Sequence, residues 1–307
     1  MPRLVHSFLR TVLRRFPLLS GRGTIIQLPL LKRLRFREEQ LQTELSNGYR
    51  IVVFPNEFIG RSVYYFGEVD PKVTGALRML LDKGDTLIDI GANIGVVSLQ
   101  CLGSVGPTGR VVAVEPQRQC CDALRATIAL NGITNLELYE SALSDRAGRS
   151  AIHFEDPDNF GTAKLGHEMT VARIDETVEV LDASAFLTAL QIARDYVLKI
   201  DVEGHEGNVL LGCVAFMKKH PPKAVVFEST SHMYEGADFF QNPAYTTLTS
   251  VGLRVFQIHK SLFAMKLSEV RQSNGTPSAT DFVALPPHLI GRLGSAIEVD
   301  EPLRQAS

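Results

Sequence analysis

The strongest constraint on the fold of this chain is a short apolar run that leads into a glycine turn. Residues 86–90 are mainly apolar, the turn GANIG follows at 91–95, and apolar residues at helical spacing come next. This order predicts a strand, a tight turn and a helix. Glycine at such a turn lets the backbone approach a ligand, because no Cβ stands in the way.

A second apolar run ends in an acid at a spacing that is typical of nucleotide-binding folds. Residues 111–114 are apolar and Glu115 follows them, 20 residues after Gly95. An acid at this place can accept hydrogen bonds from both hydroxyls of a ribose. The two segments together predict a pocket for a nucleoside-containing cofactor.

The details of the turn favour S-adenosylmethionine (SAM) over a nicotinamide dinucleotide. A dinucleotide turn has three glycines in the pattern G-x-G-x-x-G, and here Asn93 takes the place of the middle one. Asp89, two positions before Gly91, would repel a pyrophosphate but attract the sulfonium and ammonium groups of SAM. A nicotinamide-dependent oxidoreductase and a structural turn without a ligand remain the alternatives.

The composition provides a core and argues against nucleic acid as a partner. Hydrophobic residues make up 45% of the 307 residues, the formal net charge is −2, and tryptophan is absent. A bulk nucleic-acid binder needs a basic surface, and base stacking needs exposed aromatic rings. The four cysteines lack metal-ligand spacing, so we expect reduced, mostly buried thiols in a cytoplasmic protein.

Residues 1–37 form a basic segment with nine lysines and arginines and no acid. Apolar residues at positions 5, 8, 9, 12, 13 and 16 share one face of a helix. This helix either lies on an anionic membrane surface, at the inner face of the membrane, or packs on the catalytic domain with its basic side in solvent. If the segment were the working part, the protein would be a non-catalytic membrane-surface protein with a SAM-fold binding module. No run of about 18 apolar residues, the length that spans a bilayer, occurs in the sequence.

Alternating strand and helix patterns predict an α/β domain over residues 71–286. Such alternation is typical of a parallel sheet with right-handed crossovers. A small β extension at 38–70, with strands at 49–54 and 61–66, precedes this domain. We expect a loose tail at 287–307.

The alternation breaks at residues 143–183, where glycine, aspartate and proline recur. This composition predicts an irregular insertion near the pocket, with short β-like pieces near 150–154 and 171–181. Within it, we expect residues 155–168 to cover the pocket and shape the acceptor site.

Four predicted strands end in a carboxylate or pass directly into one. The acids are Asp89, Glu115, Asp201 and Glu228. In an open α/β sheet, ligands bind in the crevice outside the carboxyl ends of the strands. We therefore expect these four acids to gather around one cleft.

The densest group of polar residues is KIDVEGHE at 199–206, which contains Asp201, Glu203, His205 and Glu206. Three carboxylates and an imidazole within six residues can supply a general base for a hydroxyl group. Asp201 and Glu203, together with Glu228, can also bind a divalent metal through oxygen ligands. The structural alternative is a helix N-terminus with solvated charges.

The sequence contains four characteristic segments in this order: LIDIGANIG at 87–95, VEP at 114–116, ALSD at 142–145 and KIDVEGHE at 199–206. In these segments the chain, from about residue 63 to 228, resembles the FkbM family of SAM-dependent methyltransferases. The resemblance implies the class I methyltransferase fold, which is Rossmann-like, with a seven-stranded sheet that is mostly parallel and has one antiparallel strand. It also implies O-methylation of a sugar, a glycolipid or a polyketide-type metabolite, so the expected partner is a small-molecule or glycan acceptor.

The resemblance further implies a role for each matching position. Asp89, Gly91, Asn93 and Gly95 would line the methionine end of SAM, Glu115 would hold the ribose, and Ser141 and Ala142 would border the adenine. Asp201 and its neighbours would face the methyl group. His205 occupies a variable position of its block.

Overall fold

The computed structural model describes residues 2–15, 21–154, 163–165, 174–229, 238–260, 265–274, 277, 280–291 and 297–298. Three short helices open the chain, followed by an antiparallel hairpin and a fourth helix. They are α1 (Pro2–Arg14), α2 (Arg22–Ile26), α3 (Pro29–Arg33), β1 (Leu41–Glu44), β2 (Arg50–Val53) and α4 (Phe58–Phe66). None of the helices in the described part of the chain is long and apolar enough to cross a bilayer.

Helix α4 corrects the expectation of a strand at 61–66. The aromatic and β-branched residues of this segment favour a strand by propensity, but burial does not alternate along it, and Val63, Tyr65 and Phe66 are all buried. The helix ends at Gly67, whose φ of 78° lies in the left-handed region. Tertiary packing thus overrides local propensity here.

The central part of the chain alternates between helices and strands as predicted. Its elements are α5 (Pro71–Leu80), β3 (Thr86–Ile90), α6 (Val96–Val105), β4 (Arg110–Val114), α7 (Arg118–Asn131) and β5 (Leu136–Tyr139). Helix α5 begins where the sequence indicates, because the Asp70 carboxylate accepts a hydrogen bond from the Lys72 backbone N–H at 3.2 Å and Pro71 occupies the first turn.

Residues 143–183 form a second sheet instead of an irregular insertion, as far as they are described. The sheet contains β6 (Ala142–Ser144), β7 (Gly148–Phe154), β8 (Ala163–Leu165) and β9 (Ile174–Asp182), in the spatial order β6–β9–β7–β8. Ile152, Val178 and Val180 are buried together with Ala142 and give this sheet its own small core. Most of the segment expected to cover the pocket, residues 155–162 and 166–168, lies outside the described residues.

The last third of the chain returns to alternation and then adds strands at one edge. Its elements are α8 (Ala183–Ala189), β10 (Tyr196–Ile200), α9 (Glu206–Lys219), β11 (Ala224–Glu228), α10 (Pro243–Ser250), β12 (Arg254–Lys260), β13 (Met265–Glu269), β14 (Asp281–Leu285), α11 (Pro287–Ile290) and β15 (Ile297–Glu298). The expected loose tail is therefore partly ordered, because Ile290 packs into the core and β15 pairs with β13.

The main sheet has nine strands among the described residues, in the spatial order β15–β13–β12–β14–β11–β10–β3–β4–β5. The seven strands from β12 to β5 run in one direction except β14, which is antiparallel to both of its neighbours. This arrangement agrees with the class I methyltransferase fold, and β13 and β15 extend its edge. The chain moves outward from β3 in one direction through β4 and β5 and in the other through β10 and β11, so the switch point lies beside β3.

Both faces of the sheet are covered, which explains why the sequences of its strands are continuous apolar runs. Alternate residues of one strand enter different cores: Leu87 belongs to one cluster and Ile88 to the other. All four cysteines are buried and unpaired with each other, as expected. The carboxyl ends of the central strands remain accessible at the switch point.

Candidate active site

A cavity of about 280 Å³ opens at the carboxyl ends of β3, β4, β10 and β11. Eight of the twelve predicted site residues line it: Gly91, Asn93, Glu115, Ser141, Ala142, Asp201, Glu203 and Glu228. The other four, Asp89, Gly95, His205 and Glu206, do not line this cavity. Sequence reasoning missed Phe58 and Ile59 of α4, which also line it, because no local pattern shows that α4 reaches the end of the sheet.

The turn after β3 requires glycine at two positions for two different reasons. Gly91 has a φ of 79°, and a Cβ there would overlap the carbonyl oxygen of Asp201, so the β3 and β10 loops approach each other closely only without a side chain. Gly95 has a φ of 82°, and a Cβ there would overlap Leu124 of α7. Gly95 therefore positions the loop on the neighbouring helix.

Glu115 fixes the shape of the same turn from the end of β4. Its carboxylate accepts hydrogen bonds from the backbone N–H groups of Asn93 at 2.8 Å and Gln117 at 2.9 Å. Burial raises the pKa of Glu115 to about 7, although these two N–H donors and Lys199 act in the opposite direction. The role in ribose binding stays a prediction, and the position on the cavity wall is compatible with it.

Asp89 lies beneath the cavity and pairs with a lysine that sequence reasoning did not place in the site. Strands β3 and β10 pair Asp89 directly with Lys199, and the Lys199 Nζ lies 3.1 Å from Asp89 Oδ1. The same ammonium donates to the Gly91 carbonyl at 2.9 Å and lies 3.5 Å from Asp201 Oδ2. Burial opposes the charge on Lys199, but the two carboxylates outweigh it and raise the pKa of Lys199.

A signal for Lys199 was present in the sequence. Lys199 is the one charged residue of β10, an apolar strand at the centre of the sheet, and a charge in that position requires a partner. Asp89 is the acid at the matching place on the adjacent strand. The pair therefore ties the acidic end of β3 to the segment that carries Asp201.

Three carboxylates meet on the cavity wall. Oxygen atoms of Asp201, Glu203 and Glu228 lie within 4.8 Å of one another. Burial, and then the charge of Asp201 and a hydrogen bond with it, raise the pKa of Glu228 to about 10. The raised pKa favours the protonated form of Glu228, which shares a hydrogen bond with Asp201.

Glu203 reaches this group through an uncommon backbone conformation. Its φ is 50°, in the left-handed region, and Gly204 follows with a φ of 103°. A non-glycine residue in this region costs free energy and is found more often at functional sites. The turn directs Glu203 towards the cavity instead of continuing β10.

The side chains of Glu206 and His205 have different surroundings. The Glu206 carboxylate is buried and accepts hydrogen bonds from the backbone N–H groups of Val202 and Gly204, both at 3.1 Å, so it stabilises the turn. His205 Nε2 lies 2.9 Å from Ser144 Oγ and faces a neighbouring cavity of about 460 Å³. Burial lowers the pKa of His205. Neither side chain lines the cavity on whose wall Asp201 lies.

A family model described as "Methyltransferase FkbM domain" matches residues 89–256, more than half of the chain. The chain belongs to the FkbM family of SAM-dependent methyltransferases. The matched region contains every predicted site residue, the end of β3 and all strands from β4 to β11. FkbM membership supports SAM as the nucleoside cofactor over a nicotinamide dinucleotide.

Several known proteins are similar to this FkbM chain. Ribosomal RNA large subunit methyltransferase E of Lawsonia intracellularis is 25% identical over 189 residues, which are 60% of this chain and 86% of that protein. A structure of methyltransferase FkbM from Methylobacillus flagellatus superposes with a TM-score of 0.42 at 15% identity over 72% of this chain, which spans about half (49%) of that protein. Aeropyrum pernix fibrillarin with bound SAM gives a TM-score of 0.41 at 13% identity, covering 81% of this chain and 94% of fibrillarin.

Proposed function

We propose that this protein transfers the methyl group of SAM to a hydroxyl group of a sugar, a glycolipid or a polyketide-type metabolite. The observation that carries the proposal is the group of three carboxylates, Asp201, Glu203 and Glu228, on the wall of the cavity at the switch point. A hydroxyl acceptor must lose its proton during the reaction, and carboxylates at this place can take it.

The cavity residues fit SAM chemically. The cavity is lined by acids and, among the described residues, by no lysine or arginine, which suits a cationic ligand and disfavours a pyrophosphate. Apolar side chains of Leu143 and Ile152 complete the wall near Ser141 and offer a surface for an adenine ring. The buried Ser141 hydroxyl has no hydrogen-bond partner among the described residues, so a polar ligand atom can satisfy it.

Bound in this cavity, SAM would supply an activated methyl carbon, and its C–S bond would break as the acceptor oxygen formed the new C–O bond. The protein holds the acceptor oxygen in line with that bond, and such positioning can contribute about 7–11 kcal/mol to lowering the barrier. In this proposal Asp201 accepts the hydroxyl proton, because the raised pKa of Glu228 disfavours the carboxylate form of that side chain. Glu228 and Lys199 keep the Asp201 carboxylate oriented towards the cavity.

A divalent metal is the second way in which the same carboxylates could act. Three oxygens within 4.8 Å have the chemistry that hard cations prefer, and a bound cation would replace the proton on Glu228. A direct base and a metal-assisted base therefore differ in how turnover responds to a chelator. Prolonged treatment with a chelator leaves turnover unchanged in the first case and abolishes it, with recovery on adding Mg²⁺ or Mn²⁺, in the second.

An RNA acceptor, as named for the Lawsonia relative, is disfavoured by electrostatics. The net charge is −2 and the cavity wall is acidic, whereas an RNA backbone needs cations along its path. Metabolites and glycans of cells with and without the protein should be compared by mass spectrometry. The expected difference is one CH₂ group on a hydroxyl-bearing compound.

The substitution Asp201→Asn tests the assignment of the base. We expect turnover of the acceptor identified in this way to fall by about 10²–10⁴-fold, because the amide cannot take the proton. SAM binding, measured by calorimetry, should persist. Asp122→Asn, at an exposed acid on α7, is the control and should keep full activity. Retained turnover of Asp201→Asn contradicts the assignment, and binding of NAD without binding of SAM contradicts the proposed function.

A further inference from the structure

Among the residues that the structure describes, the exposed large apolar side chains are concentrated in the first 37 positions. The described part of the chain has seven large hydrophobic residues that are exposed, and five of them are Leu4, Val5, Phe8, Leu28 and Leu30. Leu4, Phe8 and Leu30 are 77%, 68% and 74% exposed. We call residues 2–37, which contain α1 to α3, the N-terminal helical unit. A concentration of this kind marks a surface that meets an apolar partner.

Helix α1 has two apolar faces with different surroundings. On the inner face, Leu9 and Leu13 pack against a cluster that contains Tyr65 and Phe66 of α4. The buried His6 ring stacks on Phe36 and its Nδ1 lies 2.6 Å from the Tyr65 hydroxyl. Packing on the protein thus accounts for the inner face only, and leaves Leu4, Val5 and Phe8 without a structural role.

The charge of the N-terminal helical unit indicates what the outer face meets. Residues 1–37 contain nine lysines and arginines and no acid, although the whole chain has a net charge of −2. Arg15, Lys32, Arg33 and Arg37 are exposed. Exposed apolar residues next to cations are the combination that binds an anionic lipid surface, where apolar side chains enter the headgroup region and cations contact the lipid charges.

We propose that the N-terminal helical unit docks the protein on an anionic lipid bilayer. Among the described residues, Phe58 connects the unit with the active site, because it packs against the apolar cluster of the unit and also lines the cavity. Docking would therefore hold at the lipid surface a unit that contacts one wall of the cavity. Resting on the proposed methyl transfer, this placement assigns the acceptor to hydroxyl compounds held at a membrane, such as a lipid-linked glycan.

Flotation of the full chain with vesicles tests the docking without SAM or acceptor, so its outcome is independent of the proposed activity. We expect binding to vesicles of phosphatidylcholine with phosphatidylglycerol, and little binding to phosphatidylcholine alone. The triple variant Leu4→Ser, Phe8→Ser, Leu30→Ser should lower partitioning by at least about tenfold. Lys32→Glu with Arg33→Glu should weaken binding to the anionic vesicles in the same direction.

The matched control is Leu211→Ser, because Leu211 is 56% exposed on α9, outside the N-terminal helical unit. This variant should bind vesicles like the wild type. Thermal unfolding midpoints of all variants should stay close to that of the wild type, since the changed side chains lie on the surface. Failure of the wild type to bind anionic vesicles, or full binding by the triple variant, would overturn the proposal. A wild-type dimer that the triple variant dissociates in ultracentrifugation would overturn it too.

Discussion

At the scale of single residues, Gly91 is the position of the site that least tolerates an added side chain. A methyl group there would overlap the Asp201 carbonyl and would hold an L-residue at a φ of 79°. We expect Gly91→Ala to lower the free energy of unfolding by about 1–3 kcal/mol and to remove SAM binding. Urea unfolding and calorimetry measure the two effects.

Gly103 provides the control for this substitution. It lies within α6, and a Cβ there would meet nothing within 4 Å. Alanine is favoured over glycine inside a helix, so Gly103→Ala should be neutral or stabilise by up to about 1 kcal/mol. Equal effects of the two substitutions would show that the close approach of the β3 and β10 loops is not required.

Because the pKa of Glu228 is raised, the stability of the protein should change with pH in a defined direction. Its pKa is about 10 in the folded protein, against an ordinary value of 4.5, so between these values the folded state holds a proton that the unfolded state has lost. Stability therefore falls as the pH rises through this window. We expect Glu228→Gln, which resembles the protonated form, to reduce this fall when unfolding is measured in urea at pH 5 and pH 8.

Glu137→Gln is a control of opposite sign. A hydrogen bond from Arg110 lowers the pKa of Glu137, so this carboxylate stabilises the fold above its ordinary pKa and the contribution is lost as the pH falls. Since pH 5 and pH 8 both lie above the ordinary value of 4.5, the Gln variant should lose stability at both, and this loss should shrink only as the pH falls below 4.5. A Glu228→Gln variant that keeps the full wild-type pH dependence would contradict the buried, protonated state of Glu228.

At the scale of elements, the pair of Asp89 and Lys199 fixes how β3 and β10 meet below the cavity. Lys199→Met would leave the fully buried Asp89 carboxylate without its cation. Removing one partner of a buried pair costs about 3–5 kcal/mol, so we expect a loss of this size in urea unfolding.

Combining Lys199→Met with Asp89→Asn should recover much of that loss, because no unpaired charge remains. The comparison is Arg125→Met, which breaks an exposed pair with Asp122 on α7 and should cost less than about 1 kcal/mol. If Lys199→Met cost no more than Arg125→Met, the pair would not hold the two strands together.

The elements also show what sequence patterns could predict. The row from α5 to β5 was predicted because each strand is a short apolar run bounded by a turn signal, and the acids at the strand ends follow from the geometry of a parallel sheet. Helix α4 was missed because its residues have strand propensity and its fold is decided by packing. For the small sheet of β6 to β9, the sequence indicated β-like pieces at the positions of β7 and β9, but the loop residues between them favoured an irregular insertion over a sheet.

Within the candidate site, too, some features could be predicted from the sequence and others could not. Asp201, Glu203 and Glu228 were predicted because they follow strands that end together. The separation of His205 and Glu206 from them depends on the direction of the chain after Glu203, where a φ of 50° turns the backbone. Glu203 and His205 are two positions apart and yet line two different cavities. Residue order alone does not contain that information.

At the scale of the whole molecule, Arg14 links the N-terminal helical unit to two elements of the rest of the chain, in addition to the apolar contacts of α1 with α4. Arg14 donates hydrogen bonds to the backbone carbonyls of Glu44 at 2.6 Å, Val63 at 3.2 Å and Tyr64 at 3.3 Å. These carbonyls belong to β1 and α4, so the guanidinium joins α1 to both elements. Helix α4 in turn carries Phe58 to the cavity, so the attachment of α1 supports one wall of the active site.

Arg14→Met should release α1 from this position. Hydrogen bonds from a charged group contribute about 1.5–3 kcal/mol, so we expect a destabilisation of this size together with faster proteolysis within residues 2–37. The neighbouring Arg15 is exposed and Arg15→Met should change stability by less than about 0.5 kcal/mol. Because α1 must be docked to present Leu4 and Phe8 outward, vesicle binding should weaken in Arg14→Met although its exposed side chains are intact. Equal proteolysis of the two variants would show that other contacts hold α1 in place.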